Sequence, residues 1–187
     1  GLSATLSGPY GRLVLPSEGR RLCLVATSAG LAPYLPMLHS LEQSTSVPFE
    51  SVHLLFGVRS PEECLCRPWL DDLALSHAWF DWEVFYSQSL PSNPAMNEHE
   101  GYVTSGLQDP ARFDPAQDWV LLCGNPMMVD EGFALMKERG FKSKRVIREK
   151  YLFARQERKA SDLKMSDADR ALLQAKMARY QATPDSK

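Results

Sequence analysis

Arg21-Leu22-Cys23-Leu24-Val25-Ala26-Thr27 runs directly into Ser28-Ala29-Gly30-Leu31-Ala32-Pro33. The first stretch is a short, nearly unbroken apolar run, the pattern of a strand buried on both faces. The second is built of small and turn-forming residues. Its proline suits a first helical turn, where the missing N–H costs nothing. Leu35, Leu38 and Leu41 then continue at helical spacing. A buried strand, a tight turn and a helix in succession form half of a βαβ unit, and such a unit implies a parallel sheet.

The same alternation extends outward from this stretch. Ser51 to Val58 reads as a second buried strand. Ser60-Pro61-Glu62-Glu63 has the form of an N-cap, a proline at the first position and acidic first-turn residues, and predicts a helix to about Ala74. Phe80 to Ser87 is a third strand, rich in aromatic and β-branched residues. Residues 88–100 read as a loop, and Tyr102 to Leu107 as a short helix. Trp119 to Gly124 is a fourth strand, and Pro126 to Arg139 a helix stopped by Gly140. Lys144 to Tyr151 is a fifth strand. The tail is different in kind: beyond Gln156 it is charged and polar, and Leu172, Leu173, Met177 and Tyr180 mark one apolar helical face.

Composition narrows the class. The 187 residues are 44% hydrophobic and 24% charged, enough for one sizeable core. A net charge of −2 supplies no basic stripe for nucleic acid. No apolar run reaches the length of a membrane span, and no signal-peptide pattern opens the chain. Cys23, Cys64, Cys66 and Cys123 follow no metal or disulfide spacing and read as reduced thiols of a cytoplasmic protein. His39, His53, His77 and His99 match no ligand motif, so no metal site is expected. The chain opens at Gly1 rather than Met, which reads as an excised or processed piece.

In a parallel sheet, ligands bind beyond the carboxyl ends of the strands. Three turns of unusual composition fall there. Thr27 to Pro33 would let a pyrophosphate approach the backbone, with a helix N-terminus behind it; a plain tight turn is the alternative. Cys123-Gly124-Asn125-Pro126-Met127-Met128 pairs a small polarizable side chain with a flexible strand end, although a lone cysteine is more often core. Gly57-Val58-Arg59 places a guanidinium where it would grip a phosphate, or where it is merely solvated.

These turns carry a resemblance. Ser7 to Arg12, Thr27 to Pro33, Gly57 to Arg59, Gly101 to Thr104, Cys123 to Met128 and Arg148 to Tyr151 occur in an order similar to that of the ferredoxin–NADP(H) reductase family and its oxygenase-reductase relatives. The resemblance covers roughly residues 5–153. It implies an α/β fold, a Rossmann-like doubly wound five-stranded parallel sheet with a C-terminal helical extension. It divides the chain into a remnant of a preceding flavin-barrel strand and linker (1–16), an NAD(P)-binding domain (17–155) and a helical tail (156–187).

The resemblance also implies roles. Thr27, Ser28, Ala29, Gly30, Leu31, Ala32 and Pro33 would hold the pyrophosphate and nicotinamide. Cys123 would lie beside the hydride-donating carbon, with Gly124, Asn125, Pro126, Met127 and Met128 completing that wall. Ser87, Gln88 and Tyr102, with Gly57, Val58 and Arg59, would read the adenosine ribose and any 2′-phosphate. Tyr151 would stand on the flavin side. The cofactors implied are NADP or NAD, with FAD on a flavin-binding domain in cis or trans. The implied partner is a ferredoxin-like electron carrier. The family loop usually reads Gly-Thr-Gly where this chain has Ser28-Ala29-Gly30, and only Arg59 stands where NADP(H)-using members carry several arginines. The flavin barrel is largely absent from the chain, so isolated activity is not expected. Two other readings remain: a regulatory or assembly subunit that keeps the fold but binds nucleotide weakly, and a nucleotide-sensing module without redox chemistry.

Overall fold

The computed structural model describes residues 11, 13–64 and 66–151. The expected barrel-strand remnant falls largely outside these residues, and the expected C-terminal helix entirely so. Six strands form one sheet: β1 (Gly19–Thr27), β2 (Phe49–Val58), β3 (Phe80–Tyr86), β4 (Glu98–Glu100), β5 (Trp119–Gly124) and β6 (Val146–Lys150). All pair in parallel, in the order β4-β3-β2-β1-β5-β6. Among the described residues three α-helices accompany them: α1 (Tyr34–Glu42), α2 (Arg67–Ser76) and α3 (Pro126–Glu138). None of the helices among the described residues is long and apolar enough to cross a membrane.

The apolar runs in the carboxyl halves of β1 and β2 and along β5 follow from burial on both faces. On one face Leu22, Leu24, Leu54 and Phe56 pack with Tyr34 and Leu38 of α1 and Leu70 and Leu73 of α2. On the other, Cys23, Val25, Leu55 and Leu122 pack with Val129 and Met136 of α3 and with Val103 and Leu107 of a 3-10 turn. Each such aliphatic side chain contributes about 1.5–3 kcal/mol by leaving water. From β1 the chain winds outward through β2 and β3 to β4, then returns to place β5 on β1's other side. The direction of winding therefore reverses between β1 and β5, and the turns after these two strands flank a crevice at the carboxyl edge.

Two expectations need correction. The sheet has six strands, not five, because Glu98–Glu100, expected as loop, pairs with Val84–Tyr86. This edge strand is fixed by ionic contacts. Glu98 is 8% exposed, accepts from the Tyr86 hydroxyl (2.8 Å) and the Ala95 N–H (2.7 Å), and pairs with Arg67. Second, the α-helix after β2 does not start at Ser60. Pro61–Glu63 forms a single 3-10 turn, and α2 begins at Arg67. Pro68 explains the break: in a helix begun at Ser60 it would lack an N–H for the carbonyl of Cys64 and crowd it, whereas in the first turn of α2 it is harmless. Cys64 and Cys66 thus flank a junction instead of sharing a helix.

Candidate functional site

Because the strands are parallel, Thr27, Val58, Tyr86, Glu100, Gly124 and Lys150 all end at one edge. The turn after β1 is a 3-10 turn over Ser28–Leu31, and α1 follows at Tyr34, with Pro33 as its N-cap. Neither N-terminus has a side-chain cap, so first-turn N–H groups face the edge without a side-chain acceptor. Ser28 sits at φ +48°, a left-handed conformation that disfavours L side chains. This is the position where the resembled family has glycine. Ser28→Gly is expected to leave stability unchanged or raise it by up to about 1 kcal/mol, and Ser28→Val to lower it by about 2 kcal/mol, because a β-branched residue there is a true outlier. Urea unfolding of the two variants measures the difference.

The turns after β1 and β5 interlock. A Cβ on Gly30 would lie 2.2 Å from the Cys123 carbonyl oxygen. A Cβ on Gly124, at φ +130°, would lie 2.3 Å from Thr27 Oγ1. Thr27 Oγ1 accepts from the Asn125 N–H (2.8 Å), and Asn125 Oδ1 caps α3 by accepting from the Met127 N–H (2.8 Å). The Tyr151 N–H donates to the Gly124 carbonyl (2.9 Å), which brings β6's end to the same point. This close backbone approach lies at a switch point and beside the N-terminus of a thirteen-residue helix, and helix N-termini favour anions.

The floor of the crevice holds Cys123, fully buried. Burial pushes its thiol up to about 11, the charge of Glu149 adds to this, and a hydrogen bond from the Tyr151 hydroxyl opposes it. At neutral pH the sulfur is therefore a thiol and a poor nucleophile. Tyr151 is itself raised, by burial first and then by Cys123. Beneath them Tyr34, also buried, donates to the Val25 carbonyl (3.3 Å). Tyr34 was not singled out in the sequence, where its place before the leucine stripe reads only as helix.

A second group gathers at the ends of β2 and β3. The Ser87 N–H donates to the Val58 carbonyl, and the N–H groups of Gln88 and Ser89 donate to the Arg59 carbonyl. Arg59 is exposed, and its guanidinium pairs with Glu63, a residue the sequence reading did not assign to the site. Tyr102 follows β4 with an exposed side chain. The proposed residues do not all present side chains to a ligand. Leu31, Val58 and Met128 are buried members of the core and offer only backbone, whereas Met127 is exposed on the first turn of α3. Among the described residues, no group of three or more His, Cys, Asp or Glu side chains is arranged to hold a metal ion.

Known proteins are similar to this chain in sequence and fold. The toluate 1,2-dioxygenase electron transfer component of Pseudomonas putida is 29% identical over 152 residues, covering 81% of this chain and 43% of the relative. The reductase component of propane 2-monooxygenase from Rhodococcus jostii is 28% identical over 152 residues, covering 78% of this chain and 40% of the relative. The chain thus spans less than half the length of these curated relatives. Among solved structures, the Amycolatopsis cytochrome P450 reductase GcoB superposes with a TM-score of 0.63 at 26% identity, over 76% of this chain and 42% of that one. The Neisseria gonorrhoeae ferredoxin NADP+ reductase, solved with FAD and NADP bound, gives a TM-score of 0.55 at 22% identity, over 71% of this chain and 56% of that one, a likeness of fold. The family model for the oxidoreductase NAD-binding domain matches residues 24–131, from within β1 into α3 and across both turns of the crevice. The chain belongs to the oxidoreductase NAD-binding domain family.

Proposed function

We propose that this chain is the nicotinamide-nucleotide half of a flavin-dependent reductase. It binds NAD(P)H across the carboxyl edge and presents it to FAD on a flavin-binding domain, in cis or in trans. Electrons then pass to a ferredoxin-like carrier or an oxygenase component; the toluate 1,2-dioxygenase relative is named as an electron transfer component. The observation that carries the reading is the interlock of Gly30 with Cys123 and of Gly124 with Thr27, which brings the backbones of the two turns together at the switch point. In this reading the N–H groups of Ser28 to Leu31 and the N-terminus of α3 hold the pyrophosphate. Cys123 packs against the nicotinamide, where a neutral, polarizable sulfur excludes water without reacting. Tyr151, hydrogen-bonded to Cys123, screens that position until a ligand displaces it. The nicotinamide supplies the hydride; the chain supplies position. All four cysteines are free, which fits a reducing compartment such as the cytoplasm.

Calorimetric titration of the chain with NADH and NADPH tests this. Saturable binding of at least one, lost in Gly30→Val, is the expected result. A folded chain that binds neither overturns it. That outcome would favour a regulatory or assembly subunit, a reading to which the left-handed Ser28 in the phosphate loop lends some support.

A further inference from the structure

The Arg59 guanidinium stands at the end of β2, within the group that gathers around Ser87 and Gln88. It is already engaged. Its Nε donates to Glu63 Oε1 at 2.7 Å, its Nη2 pairs with the same oxygen, and the Arg59 N–H reaches Glu63 Oε2 at 3.3 Å. One carboxylate therefore takes up an edge of the guanidinium and also the backbone donor beside it. Arg59 in turn holds the Glu63 carboxyl below the usual carboxylate range, so it is anionic at neutral pH. Glu62 lies next to it, accepting from the Ser60 hydroxyl. Arg59, Glu62 and Glu63 together carry one net negative charge.

We propose that Glu63 sets the nucleotide preference of this site: by clamping Arg59 it rejects the 2′-phosphate of NADPH and selects NADH. The proposal rests on the reading that these strand ends bind a pyridine nucleotide. A 2′-phosphate is close to dianionic at neutral pH. To use Arg59 it must displace Glu63 and then sit beside the released carboxylate and Glu62, with like charges in contact. A free 2′-hydroxyl meets no such conflict, because it is itself a donor and a carboxylate is an acceptor. The clamp is local, since the 3-10 turn of Pro61–Glu63 sets Glu63 four residues beyond Arg59. An arginine at this strand end is thus insufficient to mark an NADPH site when an acid follows it at that distance. Specificity here comes from a repulsive element as well as an attractive one.

The experiment is calorimetric titration of the full chain and of Glu63→Gln with NADH, NADPH, AMP and adenosine 2′,5′-bisphosphate, at low and moderate salt. The wild-type chain is expected to bind NADH more tightly than NADPH. Glu63→Gln is expected to shift the NADPH-to-NADH affinity ratio toward NADPH by about fivefold, the size of one exposed charge pair. The bisphosphate-to-AMP ratio should move with it, the gain should shrink as salt rises, and it should vanish in Glu63→Gln/Arg59→Ala. Wild-type preference for NADPH, or an unchanged ratio in Glu63→Gln while both nucleotides still bind, overturns the clamp and leaves the site reading standing. Failure of the folded wild-type chain to bind any of the four overturns the site reading and the clamp together.

Discussion

Gly124→Ala is expected to destabilise the chain by about 3–5 kcal/mol, against about 1 kcal/mol for Gly140→Ala. Both glycines have positive φ, +130° and +89°. They differ in what surrounds them. At Gly140, just past α3, a new Cβ meets nothing within 4 Å, so only the backbone preference is lost. At Gly124 the Cβ would stand 2.3 Å from Thr27 Oγ1, 2.8 Å from the Thr27 carbonyl oxygen and 3.0 Å from its nitrogen. Two of these atoms are backbone and the third is a hydrogen-bonded hydroxyl, and all are held: Thr27 is in register with Gly57 on β2, and its Oγ1 accepts from the Asn125 N–H. Relief requires the ends of β1 and β5 to part, which opens the crevice. At about 2–4 °C per kcal/mol for a chain of this size, thermal melts should fall by roughly 6–20 °C for Gly124→Ala and by less than about 5 °C for Gly140→Ala. The surviving folded fraction of Gly124→Ala should also bind NAD(P)H more weakly, while Gly140→Ala keeps its affinity. Equal melting points for the two variants would show that the interlock contributes nothing to stability.

The parts of this fold legible in the sequence are those where burial writes itself into composition. The carboxyl halves of β1 and β2 and nearly all of β5 are buried on both faces, so those stretches are continuously apolar, and the strand ends fall within two residues of expectation. α3 is bounded by signals that act locally, Asn125 capping its start and Gly140 turning left-handed after its end. What was not legible depends on residues distant in sequence. Glu98-His99-Glu100 carries no strand signal, because Glu98 is buried by virtue of Arg67 and Tyr86, contributed by another helix and another strand. The start of α2 was misplaced because Ser60-Pro61 is a sound local signal that the later Pro68 overrides. The site is similar. The strand-end turns announced themselves by small residues, and the order of the motifs indicated the family. Yet Arg59, read as a phosphate ligand or a solvated arginine, is tied to Glu63, whose four-residue offset looks like an ordinary first-turn acid. Nothing in the sequence marked the polar half of one sheet face, where β1, β2 and β3 bring Arg21, Ser51, His53, Asp81 and Glu83 together under Arg112, because these residues alternate with core positions on three separate strands.

That polar face leads to the other large effect expected here, an acid-sensitive loss of stability centred on Glu83. Its carboxylate lies against the His53 ring (3.4 Å) and the Arg112 guanidinium, with His99 at 3.0 Å, and its side chain is only 19% exposed. The hydrogen bond with His53, together with that of Arg112, outweighs the opposing effect of burial and pulls Glu83 down to about 2. A carboxylate whose folded value lies below its unfolded one stabilises fully above the unfolded value of about 4.3, and that contribution is lost as pH falls toward the folded value. The window is therefore about pH 4.3 down to about pH 2, and the contribution is on the order of 2–3 kcal/mol. His53 acts in the same direction at milder acidity. Burial lowers it, so the folded state resists charging it, and stability falls once pH drops below the ordinary histidine value of about 6.5. Glu83→Gln separates the two, because it keeps His53 and the side-chain shape while removing the carboxylate. At neutral pH the variant should be less stable than wild type by about 2 kcal/mol, and near pH 3 the gap should close to under about 1 kcal/mol. Urea unfolding at pH 7, 5 and 3 reads the difference directly. A gap that stays constant across that range would mean that Glu83 titrates alike in the folded and unfolded chains, and that Arg112 holds the crossover from β4 to β5 against the sheet by packing, with no contribution from charge.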